Sequence, residues 1–214
     1  MSKSCPNFIA FTFAHVLGAT GLTAVGTQYN IIPTENPGVS LLSFLAIIGL
    51  TYAIQFLQPG VPKYLAFLTF IFLFSQILRP LEDNLQQKGI LFEVFVMTLG
   101  IFIPMVLLGL YDKYNILPWG NYLLFALIGL IIARIILYAV ALTGYYNDQN
   151  LTLTSQILST FAVALFGLLS TYDVNLIKLK AKQCKSNPDY VDSSLGLFLD
   201  LLNIFVSSAD ILDN

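Results

Sequence analysis

Seven apolar stretches follow one another along the chain, each near the length that crosses a bilayer, and they leave little room for any other fold. A helix rises 1.5 Å per residue, so about 20 apolar residues cover the hydrocarbon core. The stretches are 8–29, 39–57, 64–80, 90–111, 118–141, 152–172 and 193–211. Breakers separate them: Pro33, Pro37 and Gly38, then Pro59, Gly60 and Pro62, then Pro80, Pro118, and Asn147 through Asn150. The runs do not alternate with period two, which argues against strands. Pro104 falls inside the fourth stretch and predicts a kink. Composition agrees: 57% of residues are hydrophobic and 10% charged, against about 25% charged in a soluble domain. The expectation is an all-α fold, a polytopic membrane helix bundle with seven transmembrane helices, as a single integral membrane domain over 1–214. Lys3 ahead of an apolar run is reminiscent of a signal peptide, but the run is too long and lacks a cleavage site, so it reads as the first span. No basic patch with interleaved aromatics is present, so the lipid bilayer, not nucleic acid, is the expected partner.

Lysine and arginine set the orientation. With the N-terminus in the cytosol, that side holds Lys3, Lys63, Lys113, Lys178, Lys180, Lys182 and Lys185, against Arg79 and Lys88 outside. Seven full spans put the C-terminus outside; a re-entrant last segment would return it. The loop from Lys178 to Lys185 reads as a topology determinant, with weak attraction to anionic lipid as the sharper alternative. Cys5 and Cys184 fit no metal spacing, and both fall on the cytosolic side, so free thiols are expected. Asn150-Leu151-Thr152 is a glycosylation pattern that abuts a span and is expected to be unused.

Against this background the intramembrane polar groups stand out. A carboxylate at mid-membrane costs roughly 2.5–3.5 kcal/mol on insertion scales, so it is seldom idle. Ser193, Gly196, Asp200, Asn203, Ser207 and Asp210 are spaced 3, 4, 3, 4, 3 and share one face of the last helix. Such a stripe faces protein, water or an ion path. Val174, Leu176, Ile177 and Leu179 carry the sixth helix on past Asp173, which places Asp173 and Asp200 at one depth near the cytosol. Two carboxylates in a poorly solvated site resist ionising together, so a proton would be shared and the pair would respond to pH. They also offer the oxygen ligands that calcium prefers, at best weakly. The alternative is that each aspartate only accepts hydrogen bonds and locks packing.

His15, the only histidine, reaches a similar depth and either pairs with an aspartate or is simply packed. Glu93 and Arg134 reach a common depth near the outer surface, and an ion pair acting as a structural clamp is expected. Glu82, after Pro80, sits at the outer mouth as a pathway group or a solvated loop residue. Asn203, Ser207 and Asp210 continue the stripe toward that side.

Tyr172-Asp173, then Asp189-Tyr190-Val191, then Leu197-Phe198-Leu199-Asp200-Leu201-Leu202-Asn203-Ile204-Phe205 resembles the C-terminal signature of the Bax-inhibitor-motif transmembrane family. Pro80-Leu81-Glu82, Phe95-Val96-Met97-Thr98 and His15 through Gly26 are weaker echoes of its third, fourth and first helices. The resemblance implies seven helices with the last one central. It implies a pH-sensitive calcium leak across a membrane, calcium being cargo and not a resident cofactor, with effects on calcium homeostasis and cell death. It also implies that the family's proton-sensing aspartates match Asp173 and Asp200. The arginine that bacterial relatives place in the second helix has no match in 39–57. The basic tail of some eukaryotic members is replaced by Asp210-Ile211-Leu212-Asp213-Asn214.

A non-enzymatic role is expected. The enzyme rival is an intramembrane aspartyl protease, whose Gly-x-Gly-Asp would let substrate backbone approach closely; Leu197-Phe198-Leu199-Asp200 is bulky there. A non-conducting scaffold acting through apoptosis-regulating membrane proteins is the other rival. No inverted repeat suggests a coupled transporter. The expected location is the endoplasmic reticulum or another endomembrane in a eukaryotic or viral setting, and the plasma membrane in a bacterium.

Overall fold

A computed structural model of the chain describes residues 5, 7–33, 37–111, 113, 115–143, 148–183 and 188–213. Among these residues there are seven α-helices and no strand. They are α1 (Phe8–Gly26), α2 (Pro37–Phe56), α3 (Val61–Lys88), α4 (Leu91–Leu110), α5 (Gly120–Thr143), α6 (Asp148–Gln183) and α7 (Tyr190–Leu212), with a short 3₁₀ turn at Leu117–Trp119. All seven are long and apolar enough to cross a membrane.

The boundaries follow simple chain chemistry. Pro37 and Pro62 stand in the first turns of α2 and α3, where a missing N–H costs nothing. Pro80 does not end α3 as expected: the helix runs eight residues further, to Lys88. One proline removes one donor, here the bond to the Gln76 carbonyl, and Leu81, Glu82, Leu85 and Gln86 are good helix formers beyond it. Gly89, at φ +74°, supplies the left-handed residue that closes α3. α4 passes through Pro104 unbroken. α6 is 36 residues, about 54 Å long. It takes in Lys178, Lys180 and Lys182, so they lie on a helix and not in a loop. It also takes in Asn150 of the glycosylation pattern; Cys184 and Lys185 lie outside the described residues.

The chain divides into two compact units: Met1–Lys88 with Ile177–Phe198, and Gly89–Leu176 with Leu199–Asn214. In the first, α3 packs on α1 and α2. The α1–α3 approach is close at Gly26, where a Cβ would stand 2.7 Å from the Ser75 Cβ. Buried Gln76 then fastens the chain leaving α1: its Oε1 accepts from the Ile31 and Ile32 amides at 3.0 and 3.2 Å, and its Nε2 donates to the Gly26 carbonyl at 2.9 Å. The Cys5 amide donates to the Ala181 carbonyl at 3.2 Å, tying the N-terminal stretch to the end of α6. Cys5 is disulfide-bonded, which corrects the expectation of free thiols.

In the second unit α4 meets α6 at Gly109, where a Cβ would stand 2.7 Å from the Val174 Cβ and 2.9 Å from the Thr171 carbonyl. Burial singles out α7. In its most apolar 18 residues 61% are buried, against 11% in α5. Leu195, Leu197 and Phe198 are buried in the first unit, and Leu201, Leu202, Ile204 and Phe205 in the second. Within each unit, then, most of the α7 side chains are withdrawn from the surface.

Candidate functional site

The turn of α6 around Asp173 is held on several sides. Thr171 Oγ1 donates to the Met105 carbonyl at 2.9 Å. Asn175 Nδ2 donates to the Gly109 carbonyl at 2.7 Å, and its Oδ1 accepts from the Ile116 amide at 2.9 Å. Tyr172 lies over Gly120 at the start of α5, where a Cβ would come within 2.8 Å of its hydroxyl. These bonds use the α4 and α5 sides of α6. Ser170 and Asp173, three residues apart and so on one face, are left to α7.

There Asp200 is buried, with Asp173 as a charged neighbour and the Ser170 hydroxyl against its carboxylate. Its Oδ2 has no hydrogen-bond partner within the chain. A buried acceptor left in this state carries a real cost, about 1–3 kcal/mol for a neutral group and more for a charged one. The sequence spacing suggests that the two carboxylates could meet, and Asp173 is among the charges that act on Asp200.

Along the same face of α7, Asn203 Nδ2 donates to the Leu199 carbonyl at 2.8 Å and Ser207 is buried. Asp210 accepts two hydroxyls at its Oδ2: Ser155 at 2.8 Å, and Ser159 in a short bond. Ser159 in turn accepts from Arg134 Nη2 at 2.7 Å. A chain from α5 through α6 to α7 thus replaces the expected Glu93–Arg134 pair. Glu93 is exposed, and among the described residues no ion pair joins it to Arg134. A depth inferred from sequence does not fix which way a side chain turns about its helix.

Two other expected positions fall in the first unit. His15 Nδ1 lies 2.7 Å from the Phe11 carbonyl, and its ring stacks on Tyr190 at 5.9 Å and tilts against Tyr64 at 5.7 Å. It packs as an aromatic, and among the described residues no aspartate bonds to it. Glu82 is half-buried on α3, inside the helix and not in a loop.

Sequence reading missed the ion pair of Lys63 with Asp189, in which the lysine is 1% exposed. Lys63 Nζ also donates to the Leu57 carbonyl at 3.2 Å, and Asp189 Oδ1 accepts from the Asp192 amide at 3.0 Å, capping α7. Lys180 pairs with Asp192 at 2.9 Å and reaches Ser193 at 3.3 Å. The sequence reading takes Lys63 as a topology signal and Lys180 as a topology signal or a weak lipid contact, and neither as an ion-pair partner. Ser155 and Ser159, four apart on α6, carried a legible signal as a polar pair on an apolar helix. Among the described residues no three His, Cys, Asp or Glu side chains form a metal-binding group.

Seven helices long and apolar enough to cross a bilayer make this a multi-pass membrane protein. Over residues 5–214 the sequence matches the family described as inhibitor of apoptosis-promoting Bax1, and the chain belongs to that family. It is also similar to an uncharacterized protein of Borreliella burgdorferi, 28% identical over 177 residues, which make up 77% of this chain and 72% of that protein.

Proposed function

We propose that this protein is a pH-sensitive leak for calcium or a related cation, gated by Asp173 and Asp200, and that through calcium homeostasis it influences cell death. The observation that carries the reading is Asp200: a buried carboxylate beside a second one, with an oxygen unused by the chain. A shared proton holds such a pair together; its loss leaves two negative charges that repel each other and attract a cation. Two carboxylates supply few ligands, which suits a passing ion better than a resident one. Proteolysis is disfavoured, because Leu197 and Phe198 are wholly buried where a substrate strand would need space. The lysine distribution supports a cytosolic N-terminus, so the pair would face the cytosol.

The test is flux from liposomes loaded with a calcium dye. Wild-type protein should pass calcium at a rate that changes between pH 6 and 8, and Asp173→Asn and Asp200→Asn should each flatten that profile. Absent flux, or an unaltered profile in both variants, sinks the reading. If cytoprotection survives both substitutions while flux is lost, a scaffold role takes its place.

A further inference from the structure

We propose that Arg134, Ser159 and Asp210 form a seal at the opposite end of the polar face that begins at Asp200. The inference rests on the leak reading and adds a second station to it. Asp200, Asn203, Ser207 and Asp210 are spaced 3, 4, 3 along α7, so the path from one aspartate to the other covers ten residues, about 15 Å. Every side chain in this path, and the three that close it, belongs to the second compact unit.

The chemistry at Asp210 differs from that at Asp200. Asp200 keeps an oxygen free of hydrogen bonds within the chain, whereas the Asp210 Oδ2 takes the hydroxyls of Ser155 and Ser159. Ser159 is wholly buried, and its oxygen accepts from Arg134 while its proton goes to Asp210, so the hydroxyl is fixed in direction by both neighbours. A permanent positive charge is thereby held behind the acidic group at the end of the path. A guanidinium there repels an approaching cation and occupies the donors' orientation at once. Once Arg134 leaves Ser159, the Asp210 carboxylate and the Ser159 oxygen lose the adjacent positive charge and offer oxygen ligands of the kind calcium takes. The arginine acts as a plug and the serine as its latch. A clamp of purely structural use would hold the helices equally well without changing access to the path.

Access and flux are read separately. Ser207→Cys is introduced one helical turn inside the seal, and a membrane-impermeant, positively charged methanethiosulfonate is applied to proteoliposomes. The chain without that substitution sets the background. Modification should be slow with Arg134 present, at least tenfold faster with Arg134→Ala, and slow again with Arg134→Lys. Ser159→Ala cuts the latch without removing the charge; it should speed modification in the same direction and keeps the idea testable if Arg134→Ala fails to fold. Calcium flux should rise severalfold in the same two variants. Equal modification rates in wild type, Arg134→Ala and Ser159→Ala overturn the seal, whatever the flux. A seal that opens in these variants while no protein passes calcium overturns the leak reading and leaves the seal standing.

Discussion

Lys63 carries the longest aliphatic stem among the fully buried side chains and ends on a carboxylate, Asp189, that is 29% exposed. Breaking a fully buried ion pair by removing one partner costs about 3–5 kcal/mol. Here water reaches the aspartate, so Lys63→Met should cost less, on the order of 2 kcal/mol by the same reasoning. Asp189→Asn keeps the cap on the Asp192 amide while removing the orphaned charge. The double variant should therefore regain part of the thermal midpoint that the single one loses, measured in detergent by the unfolding transition. A double variant weaker than Lys63→Met would show that the pair does not work as a charge couple. At this scale the sequence disclosed the stripe on α7, because a 3.6-residue period is written into the order of residues. It did not disclose Ser159 as the link from Arg134 to Asp210, because that depends on how three separate helices are rotated against each other.

Glycines divide the helices into tight crossings and open faces. An alanine at Gly109 would push its Cβ against Val174 and the Thr171 backbone, next to the turn that bears Asp173. Gly109→Ala should destabilise by about 1–3 kcal/mol, the usual range for overpacking. A Cβ at Gly18 meets nothing within 4 Å. Gly18→Ala should be neutral, or stabilise by up to about 1 kcal/mol through helix propensity. Equal behaviour of the two variants in a thermal-stability assay would contradict the described α4–α6 crossing. The seven elements themselves were legible from apolar length, but α3 and α6 extend well past their apolar windows. A hydropathy window ends where polar residues begin. A helix ends only where its hydrogen-bond ladder does, and α3 needed the left-handed Gly89 to stop it.

For the molecule as a whole, membrane class followed from composition, while the division into two units crossing within α6 and α7 had no counterpart in the sequence. α7 is an unbroken helix of 23 residues, a full crossing by length. With the N-terminus in the cytosol, a C-terminal alkaline-phosphatase fusion should be active and a C-terminal fluorescent-protein fusion dark; the reverse result would mean an even number of crossings. The disulfide at Cys5 predicts a shift between reducing and non-reducing gels, which replacing Cys5 with serine should abolish.

α6 has one more consequence, a mechanical one. From Leu168 to Gln183 it contains neither proline nor glycine, so it behaves as a stiff rod over that length. The Cys5 amide holds this helix at the Ala181 carbonyl, 3.2 Å away. The bond therefore fastens the N-terminal stretch to a length of helix that has no proline or glycine at which to bend.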